Sequence, residues 1–233
     1  MIKHCFISAL WAGLVALDIT GVGPWLLTQP LVAGPLFGYL MGHVTTGLII
    51  GGIVQLMWMD VTPVGVGIPY DAMAVSVLAI FWSTLPSASP LSEVALMVQA
   101  LIIAVPFGSL FRRMDQRSRR INTHILHHIE KTTDEHLSAA ISAGIVAGLV
   151  WNFLRYVVSY FLAMWAGAWL WKKMGSLPIE THLQSAFTMA AILLPVAGMS
   201  ITLDLFLSEE PDARWLARLG FKTGTLKRRR SDQ

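Results

Sequence analysis

The stretch from Gly42 to Asp71, GHVTTGLIIGGIVQLMWMDVTPVGVGIPYD, constrains the fold more than any other part of the chain. It is apolar enough to lie in a bilayer, yet Gly47, Gly51, Gly52, Pro63, Gly65, Gly67 and Pro69 interrupt it, and it carries Gln55, Asp60 and Asp71. Hydrocarbon offers no partner to a free backbone amide or carbonyl. Broken backbone and polar side chains at membrane depth are therefore tolerated where protein buries them or where they line a cavity. A helix that only anchors a protein needs neither, so the segment reads as part of a transport site.

The rest of the chain supports a membrane setting. Of its 233 residues 55% are hydrophobic and 13% charged, with a mean hydropathy of +0.60, whereas a soluble domain carries about 25% charged residues. Several apolar runs approach the roughly 20 residues that cross a hydrocarbon core. The fold class expected is an all-α integral membrane protein with about six transmembrane or re-entrant segments and Gly/Pro-broken helices. The N-terminal run Met1 to Leu17 reaches Asp18 and a Gly/Pro/Trp-rich stretch without a small-residue cleavage site, and reads as a retained first span rather than a signal peptide. Cys5 stands alone, so no intramolecular disulfide is available.

The spans read as Cys5 to Leu27, a broken segment from Leu31 to Met59, Val64 to Leu85, Leu91 to Phe111, a long run from Leu137 to Trp171, and Gln184 to Leu207. Pro86 to Pro90 is a turn. Residues 1–207 form the membrane-embedded domain, with 112–136 a cytoplasmic basic loop within it, and 208–233 a basic tail. Leu137 to Trp171 is too long for one span, and two readings stand: a surface helix leading into a span, or a break near Gly148 to Asn152.

Lys and Arg crowd the loop (Arg112, Arg113, Arg117, Arg119, Arg120, Lys131) and the tail (Arg214, Arg218, Lys222, Lys227 to Arg230), with Lys3 at the start. The positive-inside rule then puts both termini and the central loop in the cytoplasm. Trp25, Trp82, Trp169 and Trp171 fall near the opposite interface, as an aromatic belt. The loop, the tail and Lys3 together hold 14 of the 17 Lys and Arg; Lys172 and Lys173 fall on the other side and Arg155 within the membrane. Anionic lipid is thus the partner expected for the tail, whose Trp215, Leu216 and Leu219 share a short interfacial helix, and nucleic acid is not. Within 112–136, Ile121, Ile125 and Ile129 form the stripe of a basic amphipathic helix. His124, His127, His128 and His136 have no carboxylate or thiol partner at ligand spacing, so no metal site is expected.

One resemblance covers about residues 5 to 85. Gln29-Pro30-Leu31, Gly38, Gly42, Thr46-Gly47, Ile49-Ile50-Gly51-Gly52, Gly65 and Asp71-Ala72 recur in an order and spacing similar to the membrane subunit IIC of the mannose/fructose/sorbose-type sugar phosphotransferase system. The resemblance implies a subunit of the bacterial cytoplasmic (inner) membrane that binds a hexose beside a IID-type membrane subunit, in a hetero-oligomer. A IIB protein, supplied by IIA, then transfers phosphate to the sugar, and the IIC chain needs no cofactor. The chain departs from it at His43 and Gln55, where carboxylates are usual, and in a charged tail where further membrane segments are expected. These departures motivate an alternative, a non-transporting scaffold or sensor that recruits phosphotransferase proteins.

Five side chains are candidate sugar ligands. The Asp71 carboxylate suits adjacent hexose hydroxyls; its other role is to cap the helix that starts at Ala72. Gln55 offers one acceptor and two donors, or else an interhelical hydrogen bond. Asp18 lies in the first span, where it either lines the cavity or pairs with Arg155. Gln29 stands at a proline turn, and His43 reads as an interior histidine or a ligand. Gly47, Gly51, Gly52, Pro63, Gly65, Gly67 and Pro69 are the candidate gating positions. Asn152 and Arg155, on one helix face, are left to structure or to a partner subunit.

Overall fold

The computed structural model describes residues 1–18, 23, 25–59, 70–86, 91–130, 137–174 and 181–208. Seven helices account for most of them: α1 (Ile2–Leu17), α2 (Pro30–Leu40), α3 (Val44–Trp58), α4 (Ala72–Ser83), α5 (Glu93–Glu130), α6 (Leu137–Met174) and α7 (Thr181–Ser208). No strand occurs among the described residues. Pro63, Gly65, Gly67 and Pro69, most of the turn before Leu91, and the basic tail with Trp215 lie outside them.

The centre of the molecule is α4. Every residue from Met73 to Trp82 is buried, as expected of a helix apolar on all sides. Its 12 residues span about 18 Å, well short of a hydrocarbon core of about 30 Å. Asp71, half-buried, stands at the start of this buried helix. At the other end the Thr84 hydroxyl donates to the carbonyls of Ile80 and Phe81, both at 3.0 Å, and so closes the last turn.

The broken segment expected from Leu31 to Met59 is a helical hairpin, α2 and α3. Gly42 makes the turn with φ +77°, a conformation only glycine adopts cheaply. The Gly42 N–H donates to the Tyr39 carbonyl at 3.1 Å and the His43 N–H to that of Gly38 at 2.7 Å, which together form a Schellman cap. Between the helices, Gly34 and Gly38 on α2 face Gly47 and Gly51 on α3. A Cβ added at Gly34 would meet the Gly47 carbonyl, and lie 3.0 Å from the Gly51 Cα. The two backbones are in contact along the hairpin.

Three helices contain stretches long and apolar enough to cross a membrane: Glu93–Thr123, Leu137–Lys173 and Leu183–Asp204. The basic stretch after Phe111 is helical as far as Glu130, a continuation of α5 rather than a separate loop. Likewise α6 runs without interruption from Leu137 to Met174, so there is no break near Gly148. Asn152 instead accepts a hydrogen bond from Ser118 of α5 at 2.9 Å. Of the tryptophans assigned to an aromatic belt, Trp25 and Trp169 are exposed, but Trp82 and Trp171 are in the core. Trp82 lies against Gly167, where only a hydrogen leaves room for its ring. Long apolar faces on α6 and α7 stay open, which lipid or a membrane partner would cover.

Candidate functional site

Asp18 ends α1 and is 4% exposed. Its partner is not Arg155. The carboxylate accepts the backbone N–H groups of Trp25 at 2.8 Å, Leu27 at 2.7 Å and Thr28 at 3.4 Å, and so holds the turn that delivers Gln29 and Pro30. A carboxylate that accepts several amide hydrogens is stabilised without a cation. Gln29 is the N-cap residue of α2, with Pro30 at the first helical position. Across from it, the Gln55 Oε1 accepts from the Leu31 N–H at 3.4 Å, one of the amides that an α-helix leaves free in its first turn. The Gln55 amide hydrogens are donors left over from that contact.

Asp71 caps α4 through its Oδ1, which accepts from the Ala74 N–H at 2.8 Å. Neighbouring Tyr70 places its ring 6.3 Å from that of Trp58, at the same end of α3 as Gln55. Asp18, Gln29 and Gln55 thus meet at the open end of the α2–α3 hairpin, and Asp71 follows the tyrosine that packs near Trp58 at the same end of α3. His43 does not join them: it sits exposed at the turn, roughly 18 Å away along α3. Gly47 and Gly51 face α2, whereas Gly52 has no atom within 4 Å of an added Cβ. Gly52 lines a cavity of about 360 Å³ between α3, α5 and α7, with Leu48, Leu56, Val94, Met97 and Pro195 among its walls. Apolar walls cannot replace the water around a hexose, so the cavity and the polar end are different places.

A polar wall stands behind Asp71. A Cβ at Gly108 of α5 would lie 3.3 Å from the Asp71 carbonyl oxygen and 2.7 Å from Val75 Cγ2, so α5 passes close against the start of α4. One turn further, the Phe111 and Tyr160 rings are 4.7 Å apart. Beyond them Arg155 pairs with Asp115 at 2.6 Å, the Tyr156 hydroxyl donates to the same carboxylate oxygen at 3.0 Å, and the guanidinium lies 4.0 Å over the Tyr156 ring.

A family profile described as "PTS system sorbose-specific iic component" matches residues 2–222. The chain belongs to this IIC family. Over 83 residues it is 28% identical to the putative N-acetylgalactosamine permease IIC component 2 of Escherichia coli (strain K12), which covers 36% of the IIC chain and 62% of the relative. Two solved structures share its fold. One, titled as a structure of a membrane protein, aligns with a TM-score of 0.70 at 22% identity, over 94% of this chain and 84% of that one. The mannose transporter ManYZ in complex with microcin E492 aligns with a TM-score of 0.58 at 20% identity, over the same shares of 94% and 84%.

Sequence reasoning on this IIC chain missed Phe111, Asp115, Tyr156 and Tyr160. One signal was available for Asp115, the lone acid among Arg112 to Arg120 and a natural partner for a lone intramembrane arginine. The aromatics carried none, because an apolar run disguises a tyrosine. Carboxylates, amides and tyrosines at the end of a buried helix can exchange many hydrogen bonds with a polyol. Among the described residues no group of acids, histidines and thiols is arranged to hold a metal.

Proposed function

We propose that this IIC chain is the sugar-translocating subunit of a phosphoenolpyruvate-dependent phosphotransferase system, and that a hexose of the mannose/fructose/sorbose class binds at the open end of the α2–α3 hairpin. Asp71 accepts two sugar hydroxyls through the oxygen left free by its cap. Gln55 donates from its amide, Gln29 flanks the ring, and Asp18 holds Gln29 in place through the turn. The hairpin, whose two backbones touch, carries Gln55 toward or away from Asp71. A IID-type subunit covers open apolar faces of α6 and α7, and a IIB protein supplied by IIA phosphorylates the sugar on the cytoplasmic side. In this reading the chain lies in the bacterial inner membrane with both termini in the cytoplasm. Its support is the family match over residues 2–222 together with a carboxylate at the buried start of α4.

The test is phosphoenolpyruvate-dependent phosphorylation of labelled hexose by membranes that co-express the IID, IIA and IIB partners. Wild type is expected to phosphorylate. Asp71→Asn keeps an N-cap side chain and should leave expression intact, yet lower phosphorylation about 10- to 100-fold through loss of charged hydrogen bonds. Unchanged phosphorylation in that variant would remove Asp71 from the site. Partners that assemble without ever phosphorylating sugar would leave the scaffold reading in place of transport.

A further inference from the structure

The Tyr160 hydroxyl is an orphan. Tyr160 is fully buried, at 0% exposure, and among the described residues no partner lies within hydrogen-bond distance of its oxygen. Burial of an unpartnered hydroxyl costs about 1–3 kcal/mol, so such groups are uncommon without a reason. A phenylalanine would fill the same space against Phe111 at no such cost. Its neighbour Tyr156 makes the contrast, because its hydroxyl is committed to Asp115. A second orphan donor, the Arg155 Nε, lies in the same wall.

The position of the hydroxyl supplies the reason. Phe111, whose ring packs on Tyr160, is one α5 turn from Gly108, and Gly108 abuts Asp71 and Val75. An uncommitted donor on α6 thus stands about one turn of α5 from the start of α4, where Asp71 keeps one oxygen uncommitted among the described residues. A sugar hydroxyl is both donor and acceptor, and can bridge such a pair in a way that neither protein group can alone.

We propose that the Tyr160 hydroxyl is a substrate-binding donor to a ring hydroxyl of a neutral hexose, on the α5–α6 wall beside the start of α4. The inference rests on the proposed sugar site and adds α6 to it. Tyr160 is fully buried in the arrangement seen here, so a sugar reaches its hydroxyl only after the packing around it opens. Because the hydroxyl has no partner among the described residues, Tyr160→Phe removes none of the hydrogen bonds seen in the fold. A structural tyrosine and a ligand tyrosine therefore give opposite results.

The experiment uses the full chain co-purified with its IID-type subunit. Equilibrium binding of labelled mannose, fructose, sorbose and N-acetylgalactosamine is measured for wild type and Tyr160→Phe, beside thermal unfolding of both without sugar. The expected result is a Kd about fivefold weaker in the variant, with an unfolding midpoint equal to or above that of wild type. Against a series of monodeoxy analogues, the one that lacks the contacted hydroxyl should bind both proteins equally. A variant that binds as tightly as wild type overturns the proposal. So does a fall in the midpoint alongside the affinity, which would make the hydroxyl structural. If the wild-type complex binds none of the four sugars, the proposed function itself fails, and this inference with it.

Discussion

Adjacent glycines on α3 offer a controlled test of how the hairpin is held. Gly51→Ala and Gly52→Ala gain the same helix propensity, about 1 kcal/mol, but their surroundings differ. A Cβ at Gly51 would run into the Pro30 carbonyl and stand 3.2 Å from the Gly34 Cα, whereas at Gly52 nothing lies within 4 Å. Both atoms in the way at Gly51 are backbone, so no rotamer change relieves the clash and α2 must move off α3. Overpacking of this kind costs about 1–3 kcal/mol. Gly52→Ala should therefore be stabilised by about 1 kcal/mol, and Gly51→Ala should range from neutral to about 2 kcal/mol destabilised. Their difference, about 1–3 kcal/mol, is free of the propensity term. The chain supplies its own reporter, for Cys5 is the sole cysteine and is fully buried on α1. A fluorogenic maleimide reacts with it only on unfolding, and gives a midpoint for each variant in detergent. Equal midpoints, or a higher one for Gly51→Ala, would refute backbone contact as the basis of the hairpin.

Two further substitutions are read by the same thiol melt. Asp18→Asn leaves one acceptor for three backbone amides and points an NH2 group at the others, so a loss of about 2 kcal/mol is expected; an unchanged midpoint would show that the turn holds without the carboxylate. Arg155→Ala strands Asp115, and should cost about 3 kcal/mol, the low end for a buried pair because Asp115 keeps 26% exposure. Asp115→Ala in the Arg155→Ala background should restore part of that loss, which a merely space-filling arginine would not allow.

What the sequence concealed was the choice of partner for each charge. Composition and apolar run length announced a helical membrane protein, and Gly42 and Pro30 marked the hairpin ends through backbone chemistry that is local. Asp18 and Arg155 looked like a pair because each is a lone charge in an apolar helix. Yet Asp18 is satisfied by amides seven to ten residues away, in a turn whose free N–H groups no periodicity reveals. Arg155 finds Asp115 forty residues upstream, a pairing fixed by the register of α5 against α6. That register follows from which small and aromatic faces fit together, Gly108 under Asp71 and Phe111 on Tyr160.

The same packing decides what is left over for function. Asp18 gives its charge to the turn, Arg155 and Tyr156 commit to Asp115, and Gln55 gives its oxygen to Leu31. Beside the unpartnered Arg155 Nε, Thr28 hydroxyl and Trp82 and Trp171 indole N–H groups, the described residues leave three groups for a sugar in the proposed site: the second Asp71 oxygen, the Gln55 amide hydrogens and the Tyr160 hydroxyl. In a bilayer each would be costly to keep without a use, and all three belong to elements that converge at the start of α4. On the proposed reading Tyr160 matters to the sugar as much as Asp71, although only the aspartate stands out in the sequence.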